Sequence, residues 1–130
     1  MNRYLADTSF LSAFFNKEDA NYSEARNMAA EMKEEYLIIP SVVIAELSGF
    51  SKSRDLRDNM IEYALSVASE ISSFGEQNII PYLTFRRHYQ DRLKTIDSII
   101  LFSAIDRGAT LLTLDKELKK KYEMVCENLF

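Results

Sequence analysis

An α/β domain built on a mainly parallel sheet is what this sequence predicts. Short runs rich in aromatic or β-branched residues alternate with longer segments of helical period, the pattern of successive βαβ units. Two acids, Asp7 and Asp115, directly follow strand-like runs, where open parallel sheets gather their ligands. The chain has 130 residues and 47% hydrophobic content, enough for one packed core over 1–130 and too little for two.

Tyr4 to Ala6 reads as the first strand, and the apolar stretch Ser9 to Phe15 as a short helix after it. Tyr22, Ala25, Met28, Ala29 and Met32 then recur at helical spacing and predict a second helix with one core-facing stripe. Tyr36 to Ile39 is a β-branched and aromatic run read as a strand, followed by a helix over Ser41 to Phe50. Leu56, Met60, Ala64, Val67, Ala68 and Ile71 form the next helical stripe. Ile79 to Tyr82 reads as a strand, Asp97 to Arg107 as an apolar helix, and Gly108 as the C-terminal cap of that helix. Thr110 to Leu114 is the fourth strand, Lys116 to Tyr122 a helix, and Met124 to Cys126 a fifth strand in which Cys126 is packed rather than reactive. One cysteine cannot form an internal disulfide. There is no repeat, linker or low-complexity segment.

Composition excludes several function classes. No stretch approaches the roughly 18 uninterrupted apolar residues a membrane span needs, and Asp7 interrupts any signal-like run, so the expectation is a cytoplasmic protein with no membrane partner. The net charge of −4 has the wrong sign for bulk electrostatic binding of nucleic acid. None of the three glycines, Gly49, Gly75 and Gly108, lies in a Gly-rich turn able to wrap a nucleotide phosphate.

Four acids carry the chemistry. Asp7 follows the first strand and Asp115 the fourth, Asp97 opens the apolar helix, and Glu46 sits within Val42-Val43-Ile44-Ala45-Glu46-Leu47. Asp7, Asp97 and Asp115 each stand where a helix begins, and capping alone explains an aspartate there. Glu46 has no such explanation. Surrounded by apolar residues, its carboxylate is costly to bury unless paired, protonated or bound to metal, with emergence on the solvent face as the alternative. A shared acidic site accounts for all four. Clustered carboxylates without Cys or His favour Mg2+ or Mn2+ over zinc, and such ions serve phosphodiester hydrolysis. Two divalent cations would cancel the net charge, so the metal supplies the attraction to phosphate. The lone histidine, His88, lies away from these motifs.

The ordered set Leu5-Ala6-Asp7-Thr8-Ser9, Pro40-Ser41-Val42-Val43-Ile44-Ala45-Glu46-Leu47, Asp97-Ser98-Ile99-Ile100 leading to Ala104, and Gly108-Ala109-Thr110-Leu111-Leu112-Thr113-Leu114-Asp115 resembles the PIN-domain family over nearly the whole chain. The likeness is to its short, toxin-like members of the VapC type. It implies a three-layer α/β/α sandwich and a Mg2+- or Mn2+-dependent ribonuclease, with Asp7 and Asp97 as principal ligands. Glu46 and Asp115 complete the pocket, and the Ser9 and Thr113 hydroxyls orient ligands or water. It also implies a homodimer and a small antitoxin partner. Where many relatives have Asp then Phe after the last acid, this chain has Glu117 and Leu118, so Glu117 is left out of the site.

A receiver-like signalling domain is disfavoured, since Thr8 stands where a second acid is needed and neither Pro40 nor Pro81 follows a lysine. A housekeeping RNA-processing nuclease and a non-catalytic module on the same fold remain the alternatives. For an RNA substrate, the basic candidates are Lys52, Arg54 and Arg57 on one side and Arg86, Arg87, Arg92 and Lys94 on the other. An inhibitory partner is expected against Phe10, Leu11, Phe14 and Phe15, because three rings in six residues cannot all face one side of a helix.

Overall fold

Three pairs of adjacent residues, Leu5 with Ala6, Ile38 with Ile39, and Leu111 with Leu112, are all buried. Successive strand residues point to opposite faces, so both faces of this sheet are covered, as parallel sheets require. The computed structural model describes residues 2–32, 35–49, 53–90 and 92–129. Strand β1 (Arg3–Ala6) leads into helices α1 (Thr8–Phe15) and α2 (Tyr22–Met32), and β2 (Tyr36–Pro40) into α3 (Ser41–Leu47) and α4 (Arg54–Val67). Strand β3 (Glu70–Ser72) leads into α5 (Glu76–Tyr89) and α6 (Thr95–Asp106), and β4 (Thr110–Leu112) into α7 (Lys116–Leu129).

The four described strands lie in the order β3-β2-β1-β4, and every pairing is parallel. Leu5 pairs with Ile38 on one side and Leu111 on the other, which fixes the register at the centre of the sheet. Helices flank this sheet: α1 packs on α2, α3 and α4, while α6 packs on α5, α7 and β4. The fully buried side chains Leu5, Ile38, Ile39, Leu47, Met60, Ile100, Leu101 and Leu118 tie strands and helices into one cluster. Each contributes about 1.5–3 kcal/mol by leaving water. Gly108 caps α6 as expected, at φ 61, a conformation that a Cβ disfavours.

Two expected strands are helical. Ile79–Tyr82 lies inside α5, where Tyr82, Phe85 and Tyr89 recur at helical spacing and face the core, while Ile79, Ile80 and Leu83 are exposed. The Asn78 side chain accepts the Gly75 N–H at 2.8 Å and starts the helix, which outweighs the β preference of two isoleucines. Met124–Cys126 belongs to α7, whose stripe of Leu118, Tyr122 and Val125 continues the helical period past Tyr122. Cys126 is therefore a half-buried helical thiol rather than a strand residue. Conversely, the Leu56 stripe ends with α4 at Val67, and Ile71 belongs to β3. That edge strand has three residues with Ile71 exposed, too short a run for alternation to reveal. Phe50 and Lys52 lie outside the described residues.

Candidate active site

Because β1 and β4 are neighbours in a parallel sheet, their carboxyl ends open side by side, and the backbone N–H of Asp7 donates to the Leu112 carbonyl at 3.1 Å. Asp7 is the N-cap of α1, its Oδ1 accepting the Phe10 N–H at 2.9 Å. The same carboxylate accepts from Ser9 Oγ at 2.8 and 3.0 Å and from Thr113 Oγ1 at 2.5 Å. Ser9 Oγ in turn accepts the Leu114 N–H at 3.1 Å, and Thr113 Oγ1 accepts the Asp115 N–H at 3.0 Å. Both expected hydroxyls thus join the α1 terminus to the segment after β4 and hold the Asp7 carboxylate in one orientation. Asp115 caps α7, accepting the Leu118 N–H at 3.1 Å.

Asp97 and Glu46 reach this edge from the other two helices. Asp97 is not the cap that its position predicted. Helix α6 begins two residues earlier, at Thr95, and Asp97 lies in its first turn, where its charge favours the helix dipole. Glu46 is exposed rather than enclosed by its apolar neighbours, so the argument from burial cost fails and the solvent-facing alternative holds. Val43 and Leu47, four residues apart, carry α3 into the core, and the residue before Leu47 is turned about 100° from it. The Glu46 carboxylate accepts instead from Thr8 Oγ1 at 2.6 Å. Thr8 is a site residue that sequence reading missed. It follows the conspicuous Asp7, and a hydroxyl at the first helical position carries no distinguishing signal.

The electrostatics bind these acids into one neighbourhood. Burial pushes the Asp7 carboxyl up to about 6, against the lowering effects of Thr113, Phe10 N–H and Ser9, and the charge of Asp97 raises it further. Asp97 is also raised, by burial first and then by the like charges of Asp115 and Glu46; Lys94 opposes this and Glu117 adds to it. Glu117, set aside on sequence grounds, therefore lies within electrostatic reach of Asp97. Among the described residues, no three Asp, Glu, His or Cys side chains are yet gathered tightly enough to enclose a cation. The donor set is nonetheless all carboxylate and hydroxyl oxygen, and the mutual repulsion of the acids is what a divalent cation would relieve. This fits Mg2+ or Mn2+. His88 is exposed on α5, with its ring against Tyr89.

The basic candidates divide. Arg86 is half-buried, donating to Tyr82 Oη at 2.8 Å and to the Leu93 carbonyl at 2.7 Å, and Tyr82 Oη donates to the buried Ser98 beside Asp97 at 3.0 Å. It braces the approach to α6. Arg87, Arg92 and Lys94 are exposed, Arg57 is half-buried, and Arg54 makes an exposed 3.8 Å pair with Asp58. Beside α1, Phe10 and Leu11 are buried, whereas Phe14 and Phe15 are half-buried and pack on Tyr63, which is 40% exposed. A groove of about 190 Å³ runs there between Phe10, Phe14, Met32, Leu37, Tyr63 and Val67. Among the described residues, no helix is long and apolar enough to cross a membrane.

Among solved structures, the fold resembles Mycobacterium tuberculosis VapC20, described as a Sarcin-Ricin loop cleaving toxin, at TM-score 0.75 and 17% identity over 90% of this chain and 93% of that one. It also resembles VapBC2 from Rickettsia felis, solved with a DNA fragment from its promoter, at TM-score 0.68 and 24% identity over 91% and 92% of the two chains. FitAcB from Neisseria gonorrhoeae matches at TM-score 0.67 and 15% identity over 92% and 93%. No curated protein matches the sequence significantly. The family model for the PIN domain matches residues 4–124, nearly the whole chain, and the protein belongs to the PIN-domain family.

Proposed function

We propose that this chain is a single-domain, Mg2+- or Mn2+-dependent endoribonuclease, the cytoplasmic toxin of a toxin-antitoxin pair acting as a homodimer. The observation that carries the chemistry is the convergence of Asp7, Asp97, Asp115 and Glu46 on one sheet edge, with the Asp7 carboxyl raised by burial and by Asp97. Asp7 and Asp97 would hold the cation, with Glu46 and Asp115 completing the set. A bound ion of this kind supplies Lewis-acid polarisation of a phosphate oxygen and an activated water at neutral pH. The toxin assignment draws on the VapC, VapBC and FitAcB neighbours.

The protein's own groups divide the remaining work. Ser9 and Thr113 fix the Asp7 carboxylate, so that it need not reorganise when substrate arrives. Thr8 holds Glu46 toward the same edge. Asp115, whose charge raises Asp97, is held at the start of α7 by the Leu118 N–H and would add its carboxylate to the same set. The test is incubation of purified protein with structured and single-stranded RNAs, with Mg2+, Mn2+ or chelator, alongside Asp97→Asn. We expect metal-dependent cleavage that this variant loses while remaining folded, since the first-turn position in α6 tolerates an amide. Equal cleavage by the variant would exclude the shared acidic site. Inhibition by the product of a neighbouring small gene separates a toxin from a processing nuclease.

A further inference from the structure

Nine of the sixteen Lys and Arg residues fall from Arg86 to Lys121, although the whole chain is acidic. Part of this charge converges on a cavity of about 250 Å³ beside the acidic edge. Its floor is one face of α7: Glu117, Lys120, Lys121 and Met124 recur at the three- and four-residue spacings that align side chains on a helix. Gln90, Arg92 and Leu93 form the opposite wall. Gln90 ends α5 in the left-handed conformation, at φ 50, which turns the chain back toward α7. Lys121 Nζ donates to the Tyr89 carbonyl at 2.8 Å, and Arg86 donates to the Leu93 carbonyl, so both walls are braced.

We infer that this cavity is a subsite for one nucleotide of the RNA strand next to the cleavage centre, with the base against Leu93 and Met124 and a phosphate between Arg92 and Lys120. The inference rests on the nuclease reading for its substrate class. Glu117 joins the two places, since it lines the cavity from the first turn of α7, the helix that Asp115 of the acidic centre caps. A strand lying across Asp97 therefore passes this opening. The volume accepts a flat base, Leu93 and Met124 offer it apolar contact, and exposed Arg92 and Lys120 line the same cavity. An apolar contact beside flanking cations is the arrangement used for single strands, where the base packs and the phosphate pairs. It also answers how an acidic protein attracts a polyanion without bulk positive charge.

Binding of a fluorescent single-stranded RNA in chelator, across a salt series, tests the subsite without cleavage. Losing the one phosphate contact in Arg92→Ala/Lys120→Ala should weaken binding roughly tenfold and reduce the slope of log affinity against log salt by about 0.7. The charge-preserving Arg92→Lys/Lys120→Arg should keep the wild-type slope. Met124→Ser should weaken binding at an unchanged slope, because packing against a base involves no counterion release. Wild-type affinity and slope in the double alanine variant would overturn the subsite. So would equal weakness in the charge-preserving variant. Adding Mg2+ or Mn2+ to the same samples reads the nuclease function separately: RNA bound through this cavity but never cut would overturn that function and leave the subsite standing.

Discussion

Replacing Asp7 with asparagine separates the cost of the acidic centre from its use. The Asp7 carboxyl is 3% exposed and titrates near 6 in the folded protein, against an ordinary value of 3.8. Between those values the folded state holds the extra proton, so stability falls as pH rises through this window. At about 1.36 kcal/mol per pH unit, the ionised carboxylate costs about 3 kcal/mol above pH 6, and nothing below about pH 4. Asparagine keeps an oxygen for the Phe10 N–H but carries no charge. In chelator at pH 7.5, Asp7→Asn should therefore melt roughly 10 °C above wild type, from about 3 kcal/mol in a chain of this size. The advantage should vanish by about pH 4. Saturating Mg2+ or Mn2+ should reverse the order, raising wild type alone, and RNA cleavage should be lost. Melting curves at several pH values, with and without metal, provide the measurement. A metal-free wild type as stable as the variant at pH 7.5 would refute the burial argument, whatever the activity.

Stripped wild-type protein should melt at a higher temperature in millimolar Mg2+ or Mn2+, because binding to the native state alone stabilises by mass action; an unchanged curve removes support for the metal site. Arg86→Ala should cost about 1–3 kcal/mol by removing its hydrogen bonds to Tyr82 Oη and the Leu93 carbonyl, while the exposed Arg87→Ala should leave unfolding free energy within about 0.5 kcal/mol of wild type. Equal loss in both would show that Arg86 is no brace. Tyr63→Ser, at the exposed rim of the Phe10, Phe14 and Val67 groove, should weaken inhibition by the neighbouring gene product at least tenfold. Undiminished inhibition in a titration would move the partner elsewhere.

Much of the architecture was legible because parallel strands buried on both faces leave continuous apolar runs, as at Leu37 to Ile39 and Leu111 to Leu112, and because amphipathic helices repeat at 3.6 residues. Where that signal weakened, reading failed. The three-residue β3 is too short to show a period, and Ile79–Tyr82 has β-favouring residues inside a helix that turns Tyr82, Phe85 and Tyr89 inward. The positions of Asp7 and Asp115 followed from local order alone, since an acid after a parallel strand must lie at the carboxyl edge. Only the tertiary structure decided the rest. That Asp97 sits a turn inside α6, that Glu46 is exposed and held by Thr8, that Arg86 is an internal brace, and that Glu117 links the acidic edge to a basic cavity all depend on contacts between residues far apart in the chain. Local sequence sets backbone preference and periodicity, whereas the direction of a polar side chain is set by whichever distant partner the packed helices bring within hydrogen-bond or Coulomb range.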